Sequence, residues 1–236
     1  MDLVRACGGR LKRVLDLRDR LLFGSIHPSK ANFFGEPEVL VEQIALNLSG
    51  MLDALARALN TALQLGVEPN HCSLRNKRFT QRFPPAARAI LHDTGSRKLI
   101  DLIAAFRNTI HHLDLGGGGE GDSRGRTTAQ YVAVDKDTAE KVREVAAILG
   151  REDSWIAHDL PELDLMIRPV LVTEDLIERC VAIVQQLAAV IDWPGEREQR
   201  QQRPGKDPSD WSRYGPTLEI IKRLYGLDPA ANQPLH

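Results

Sequence analysis

Cysteine, aromatic residues and unbalanced charge are all scarce in this chain, and each scarcity removes a class of protein. Only three cysteines occur in 236 residues, Cys7, Cys72 and Cys180, with no CxxC pair. An odd, dispersed set does not build a disulfide framework; it predicts reduced thiols and a cytoplasmic setting, with Cys180 in the core. Aromatics amount to 5%, so the core must rest on Leu, Ile, Val and Ala, which suits packed helices better than a β-sandwich. The net charge is −1, so contact with nucleic acid would need a local basic patch and not the field of the whole molecule. No apolar run is expected to reach the ~18 residues of a membrane span. The N-terminus mixes acid and base among its apolar residues and lacks a signal-peptide core, so no membrane partner is expected.

Signatures of bound metal or cofactor are missing too. There is no HExxH, no paired Cys/His spacing and no Walker-type loop, and the glycines 116–119 lack a following Lys-Ser/Thr. No cofactor is expected. Asp159, Glu162 and Asp164 form an acidic loop, and His27, His71, His92, His158 and His236 stand isolated.

What the chain does have is apolar periodicity. Residues 3–22 read as a first helix, with Gly24, Pro28 and Gly35 breaking the pattern. From Pro37 to about residue 65, Leu40, Ile44, Leu48, Leu52, Leu55, Leu59 and Leu63 recur near three-and-four spacing. Glu36 and Glu38 suit the positive end of the dipole, and Gly66 suits a stop. Residues 70–83 are polar and basic, with Phe79 and Phe83 expected to dock on the core and the arginines to remain solvated. Pro84 and Pro85 open a short helix to about His92. Ser96 is the expected N-cap of the next helix, whose inner side is Leu99, Ile103, Phe106, Ile110 and Leu113. The glycines 116–119 should end it in a flexible loop. A short strand over 128–134, a helix over 136–149 and a helix capped by Thr173 and ending at Ile191 follow, with 154–170 ambiguous. Beyond Trp193 the chain turns polar and reads as a linker and one small helix. The expectation is a mainly α helical-bundle domain over 1–192, with a short extended segment, and a C-terminal tail over 193–236.

The pronounced chemical signal is Arg107-Asn108-Thr109-Ile110-His111-His112, at the end of the helix over 96–113. With Phe106 and Ile110 facing the core, ~100° per residue places Arg107, Asn108, His111 and His112 on the opposite half of the surface. Arg107 and His111 stand one turn apart, as do Asn108 and His112. A guanidinium offers a fixed fork of donors to phosphate oxygens. An imidazole, with an unperturbed pKa of ~6.5, passes protons near neutrality. Together they suffice for metal-independent RNA cleavage, in which a base removes the 2′-hydroxyl proton, that oxygen attacks its own phosphate and an acid protonates the leaving 5′-oxygen.

Arg107-Asn108-x-x-x-His112 resembles the Arg-x(4–6)-His motif of the HEPN superfamily (higher eukaryotes and prokaryotes nucleotide-binding), in the form with a polar residue after the Arg. The resemblance implies a compact helical bundle with the motif at the end of an inner helix. It further implies an endoribonuclease of defence or toxin–antitoxin systems, acting as a homodimer on RNA and held in check by an antitoxin or regulatory protein. Carried over by residue, Arg107, Asn108 and His112 would form the site, with His111 one residue short of the family spacing. The alternative reading is a HEPN-like module that binds a nucleotide or a partner without catalysis. A third is a structural adaptor whose polar patch makes a subunit contact.

Overall fold

The computed structural model describes residues 2–26, 36–112, 115–121, 127–159 and 165–191. The chain divides at Trp193, and residues 193–236, where a linker and small helix are expected, lie outside the described residues. The described part is mainly helical with one small antiparallel sheet. Its elements are α1 (Asp2–Ile26), α2 (Glu36–Ala62), a 3₁₀ turn (Pro69–His71), α3 (Lys77–Thr80), α4 (Pro85–His92) and α5 (Thr94–His112). They continue with β1 (Gly116–Gly121), β2 (Thr127–Val134), α6 (Lys136–Leu149), α7 (Glu152–Trp155), β3 (Ile156–His158), β4 (Leu165–Ile167) and α8 (Pro169–Val190).

α2, α5 and α8 pack on one another at the centre, α1 lies against α2 and α8, and α6 covers α5. The apolar stripe of α2 is buried at Leu40, Ile44, Leu48, Leu52, Leu55 and Leu59, as its spacing demands. Among the described helices α2 alone is long and apolar enough to cross a membrane, although no such run was expected, and most of its apolar window is buried inside the bundle. It stops at Ala62, short of the expected residue 65. Asn60 accounts for this: its carboxamide donates to Val67 O (2.8 Å) and accepts from Val67 N (3.1 Å), folding the chain back. Gln64 and Gly66 take up the reversal with φ of 51° and 64°.

Other boundaries also moved. α1 continues through Gly24 to Ile26. α5 is capped not by Ser96 but by Asp93, whose Oδ2 accepts from Ser96 N at 3.0 Å, because a carboxylate one turn earlier reaches the open N–H groups first. α8 starts at Pro169, whose fixed φ and missing N–H suit a first turn. Thr173 lies inside the helix and donates its hydroxyl to Pro169 O at 2.7 Å. α6 has the expected span, capped by Asp135, which accepts from Thr138 N at 3.0 Å, and closed by left-handed Gly150 at φ 63°.

The largest correction concerns the glycines 116–119. They do not form a flexible loop but open β1, antiparallel to β2 with Gly116 opposite Ala133 and Gly118 opposite Tyr131. The sheet order is β1-β2-β4-β3. Glycine's low strand propensity is overridden here because β2 supplies the ladder and the missing side chains allow close approach. At Gly117 a Cβ would collide with the Glu38 carboxylate.

Behind the sheet, Trp155 is fully buried and donates Nε1 to Asp175 Oδ2 at 2.8 Å. Arg151 pairs with the same carboxylate oxygen at 3.2 Å. Nη1 of Arg168 lies within hydrogen-bond distance of three carbonyl oxygens, Asp153 (2.7 Å), Ser154 (3.0 Å) and Ile156 (2.9 Å), tying α7 to the start of α8.

Candidate functional site

α5 is more deeply central than an amphipathic helix. Leu99 and Ile100, and every residue from Leu102 to Phe106, are buried, and only Asp101 interrupts them. The expected inner residues Leu99, Ile103 and Phe106 are therefore in place, while the side chains of Ile110 and Leu113 lie outside the described residues. Directly after Phe106 the helix emerges, and both Arg107 and Asn108 are exposed. α5 runs without a break to His112, so its backbone keeps Arg107 and His111, and Asn108 and His112, one turn apart. The side chains of His111 and His112 lie outside the described residues.

Two other segments meet α5 where it emerges. Ser49 and Asp53 on α2, Ser73 and Arg75 on the loop before α3, and Arg107 and Asn108 on α5 share one cleft of about 70 Å³. Its floor is Leu52, Leu74, Ile100 and Ile103, so polar groups ring a small apolar base. Arg107 Nη1 stands 3.6 Å from Asp53 Oδ2, each side chain 44% exposed. That separation is an ion pair but too long for a hydrogen bond, and water screens it.

Arg75 is held more firmly. Its Nε donates to Asp101 Oδ1 at 3.0 Å, and Arg97 Nε pairs with the other oxygen of that carboxylate at 3.2 Å. Arg97 also donates Nη2 to the carbonyl of Arg75 at 2.9 Å. Asp101, the one polar break in the buried run of α5, therefore anchors the loop that carries Arg75 to the motif. From the other side Glu42 accepts the Leu115 amide at 3.1 Å, fixing on α2 the chain just beyond the motif.

Asp53, Arg75, Arg97 and Asp101 are absent from the set read out of the sequence. A faint signal existed: Asp53 and Asp101 each interrupt an apolar stretch, residues 51–56 and 99–106. Nothing local, however, tells which arginine each faces. The basic segment 70–83 behaves as expected, with Phe79 and Phe83 buried edge to face at 4.9 Å and its cations exposed.

His27 and His236 lie outside the described residues, and among those described the remaining histidines do not converge. His92 Nε2 lies 3.1 Å from Thr80 Oγ1, and His158 packs edge-on against Tyr131. Asp159 is engaged by Arg143, whose hydrogen bond holds that carboxyl below the usual range; Glu162 and Asp164 lie outside the described residues. Among the described residues no three His, Cys, Asp or Glu side chains are grouped to hold a metal ion. Cys180 is buried, as expected, and burial pushes its thiol up to about 12.

The cleft thus presents two guanidiniums, a carboxamide, two hydroxyls and one carboxylate around an opening that admits a small group. Small-molecule sites enclose roughly 300–1,000 Å³, so this one suits a phosphate of a larger molecule better than an enclosed nucleotide. No protein-family model, curated protein or solved structure matches the chain.

Proposed function

We propose that this chain is a metal-independent endoribonuclease of HEPN type, working in the cytoplasm as a homodimer in defence or toxin–antitoxin biology. The observation that carries the reading is the cleft where Arg107 and Asn108 leave the buried part of α5 and meet Arg75 and Ser73. Arg107 steadies the charge that grows on the scissile phosphate, and Asn108 orients that phosphate or the imidazole. His112 moves the proton, either from the 2′-hydroxyl or onto the leaving 5′-oxygen. In-line cleavage wants both an acid and a base, and a two-fold axis through the motif supplies a second set. An antitoxin or regulatory protein would then act by covering the cleft.

The rival reading, a HEPN-like module that binds a nucleotide without cleaving, sits less well with a cleft of about 70 Å³, and binding alone has no need of a proton-transfer group. The test is incubation of purified protein with total RNA in excess EDTA, beside an Arg107→Ala/His112→Ala variant. The expected result is cleavage by the parent alone, leaving 2′,3′-cyclic phosphate ends, sparing all-DNA substrates, and a dimer in sedimentation. Activity that requires divalent metal, or a double variant as active as its parent, overturns the reading.

A further inference from the structure

Positive charge is distributed unevenly in this chain. Residues 75–107 hold eight Lys or Arg against two Asp, a net of six positive charges in a molecule whose total is −1. Some of these cations have partners, Arg75 and Arg97 in Asp101, Lys98 in Glu144 and Arg107 in Asp53, as do Lys12 in Asp16 and Arg143 in Asp159 elsewhere. By contrast, among the described residues none of Lys77, Arg78, Arg82 and Arg88 has an ion-pair partner. Lys77, Arg78 and Arg82 are all exposed.

This uncompensated stretch adjoins the motif. Arg75 lines the cleft that holds Arg107 and Asn108, and the next residue, Asn76, lines a second, open groove with His71, Arg78 and Arg82 and one carboxylate, Glu68. That groove has a volume of about 350 Å³, within the range of sites that take a drug-sized group. Residues adjacent in the chain thus line the two depressions.

We infer that the groove along α3 is the binding track for the RNA strand beside the cleaved bond, with Arg78 and Arg82, which line it, and the neighbouring exposed Lys77 holding its phosphates. The identity of the polyanion rests on the ribonuclease reading; the track itself rests on charge and geometry. The strand is single. A single strand bends enough to follow two depressions lined by adjacent residues, which a stacked duplex, read through its shape and its ordered phosphates, does not do. Phe79 and Phe83 are buried and offer no stacking platform, so the track holds phosphates with little base preference.

Binding is measured apart from cleavage, using the full chain and a 2′-O-methyl single strand of about 12 nucleotides, a length within known single-strand site sizes. Fluorescence anisotropy over a salt series reads the number of phosphates engaged, at a slope of about 0.7 per contact. The Lys77→Ala/Arg78→Ala/Arg82→Ala variant is expected to lose about 2 from that slope. On cleavable RNA it should raise KM with kcat unchanged. A Lys12→Ala/Arg13→Ala/Arg18→Ala control removes equal charge from α1 and should leave the slope as it was. An unchanged slope in the first variant, an equal loss in the control, or a duplex of the same length binding as tightly as the single strand would overturn the track. Wild-type binding with the expected slopes but without RNA cleavage would sink the nuclease reading and leave the track standing. Cleavage by a protein whose salt slope ignores the α3 cations would do the reverse.

Discussion

Arg168 and Arg107 are the same side chain in opposite circumstances. Arg168 directs Nη1 at three backbone carbonyls around a buried tryptophan. Arg107 lies on the rim of an open cleft and, among the described residues, makes one long ion pair, to Asp53 at 3.6 Å. A guanidinium whose donors are aimed at fixed carbonyls is committed to the fold, and displacing it strands polar groups. One whose donors face solvent and a small cleft is free to accept an anion. The difference separates an arginine that holds structure from one that can do chemistry, although both are polar residues beside apolar helices in the sequence.

Several measurements break or sharpen that contrast. The largest effect should come from His112→Ala, which loses the proton-transfer contribution to RNA cleavage, roughly 10²–10⁴-fold in rate. Arg107→Ala should be comparably inactive, yet melt within about 0.5 kcal/mol of the parent. A clear drop in its thermal stability would mean that Arg107, like Arg168, serves the fold. Trp155→Ala reverses the pattern: about 3–5 kcal/mol of stability is lost from the emptied site, while the rate per folded molecule is retained. Denaturant titration beside kinetics reads both quantities. Arg168→Ala is a milder form of the same change, expected to cost about 1–3 kcal/mol as carbonyls lose their donor. If its melt is unchanged, the carbonyl bonds to Arg168 contribute nothing and the comparison fails on its structural side.

The buried core carries a pH signature of its own. Burial raises Cys180 from 9.0 to about 12, so the folded state holds a proton that the unfolded state releases. That contribution is fully present below pH 9 and fades as pH rises from about 9 towards about 12. Stability curves of the parent and Cys180→Ala should therefore converge across this window, and parallel curves would contradict the burial. The smallest effect is reserved for Asp53→Asn. An exposed pair at this distance contributes at most about 1 kcal/mol, so the melt should barely move. A large loss of stability would show Arg107 to be tied down after all.

Much of the helical framework was legible along the chain because its cause is local. Apolar spacing placed α1 and the bulk of α2, α6 was read over its whole span, and the proline pair announced α4. The emergence of Arg107 and Asn108 just after Phe106 follows from the same periodicity. Boundaries failed where a side chain intervened from a few residues away, as Asn60 does in ending α2 and Asp93 in capping α5. The glycine run failed for a different reason. Its low propensity was read correctly, but its partner β2 lies beyond a connection that propensity does not see.

By itself, then, the sequence determined a mainly helical molecule and a helix that ends in Arg107, Asn108, His111 and His112, since turn-by-turn spacing sets which residues share a face. Only tertiary structure decided what stands opposite that end. Asp53 comes from α2, Arg75 from a loop held by Asp101 and Arg97, and the glycine strand is laid against Glu38 of α2 and paired with β2. Each of these contacts joins segments distant in the chain, so it exists only once packing of the core has closed the intervening loops. That packing brings an exposed basic stretch to the edge of the cleft, a juxtaposition no window of sequence contains.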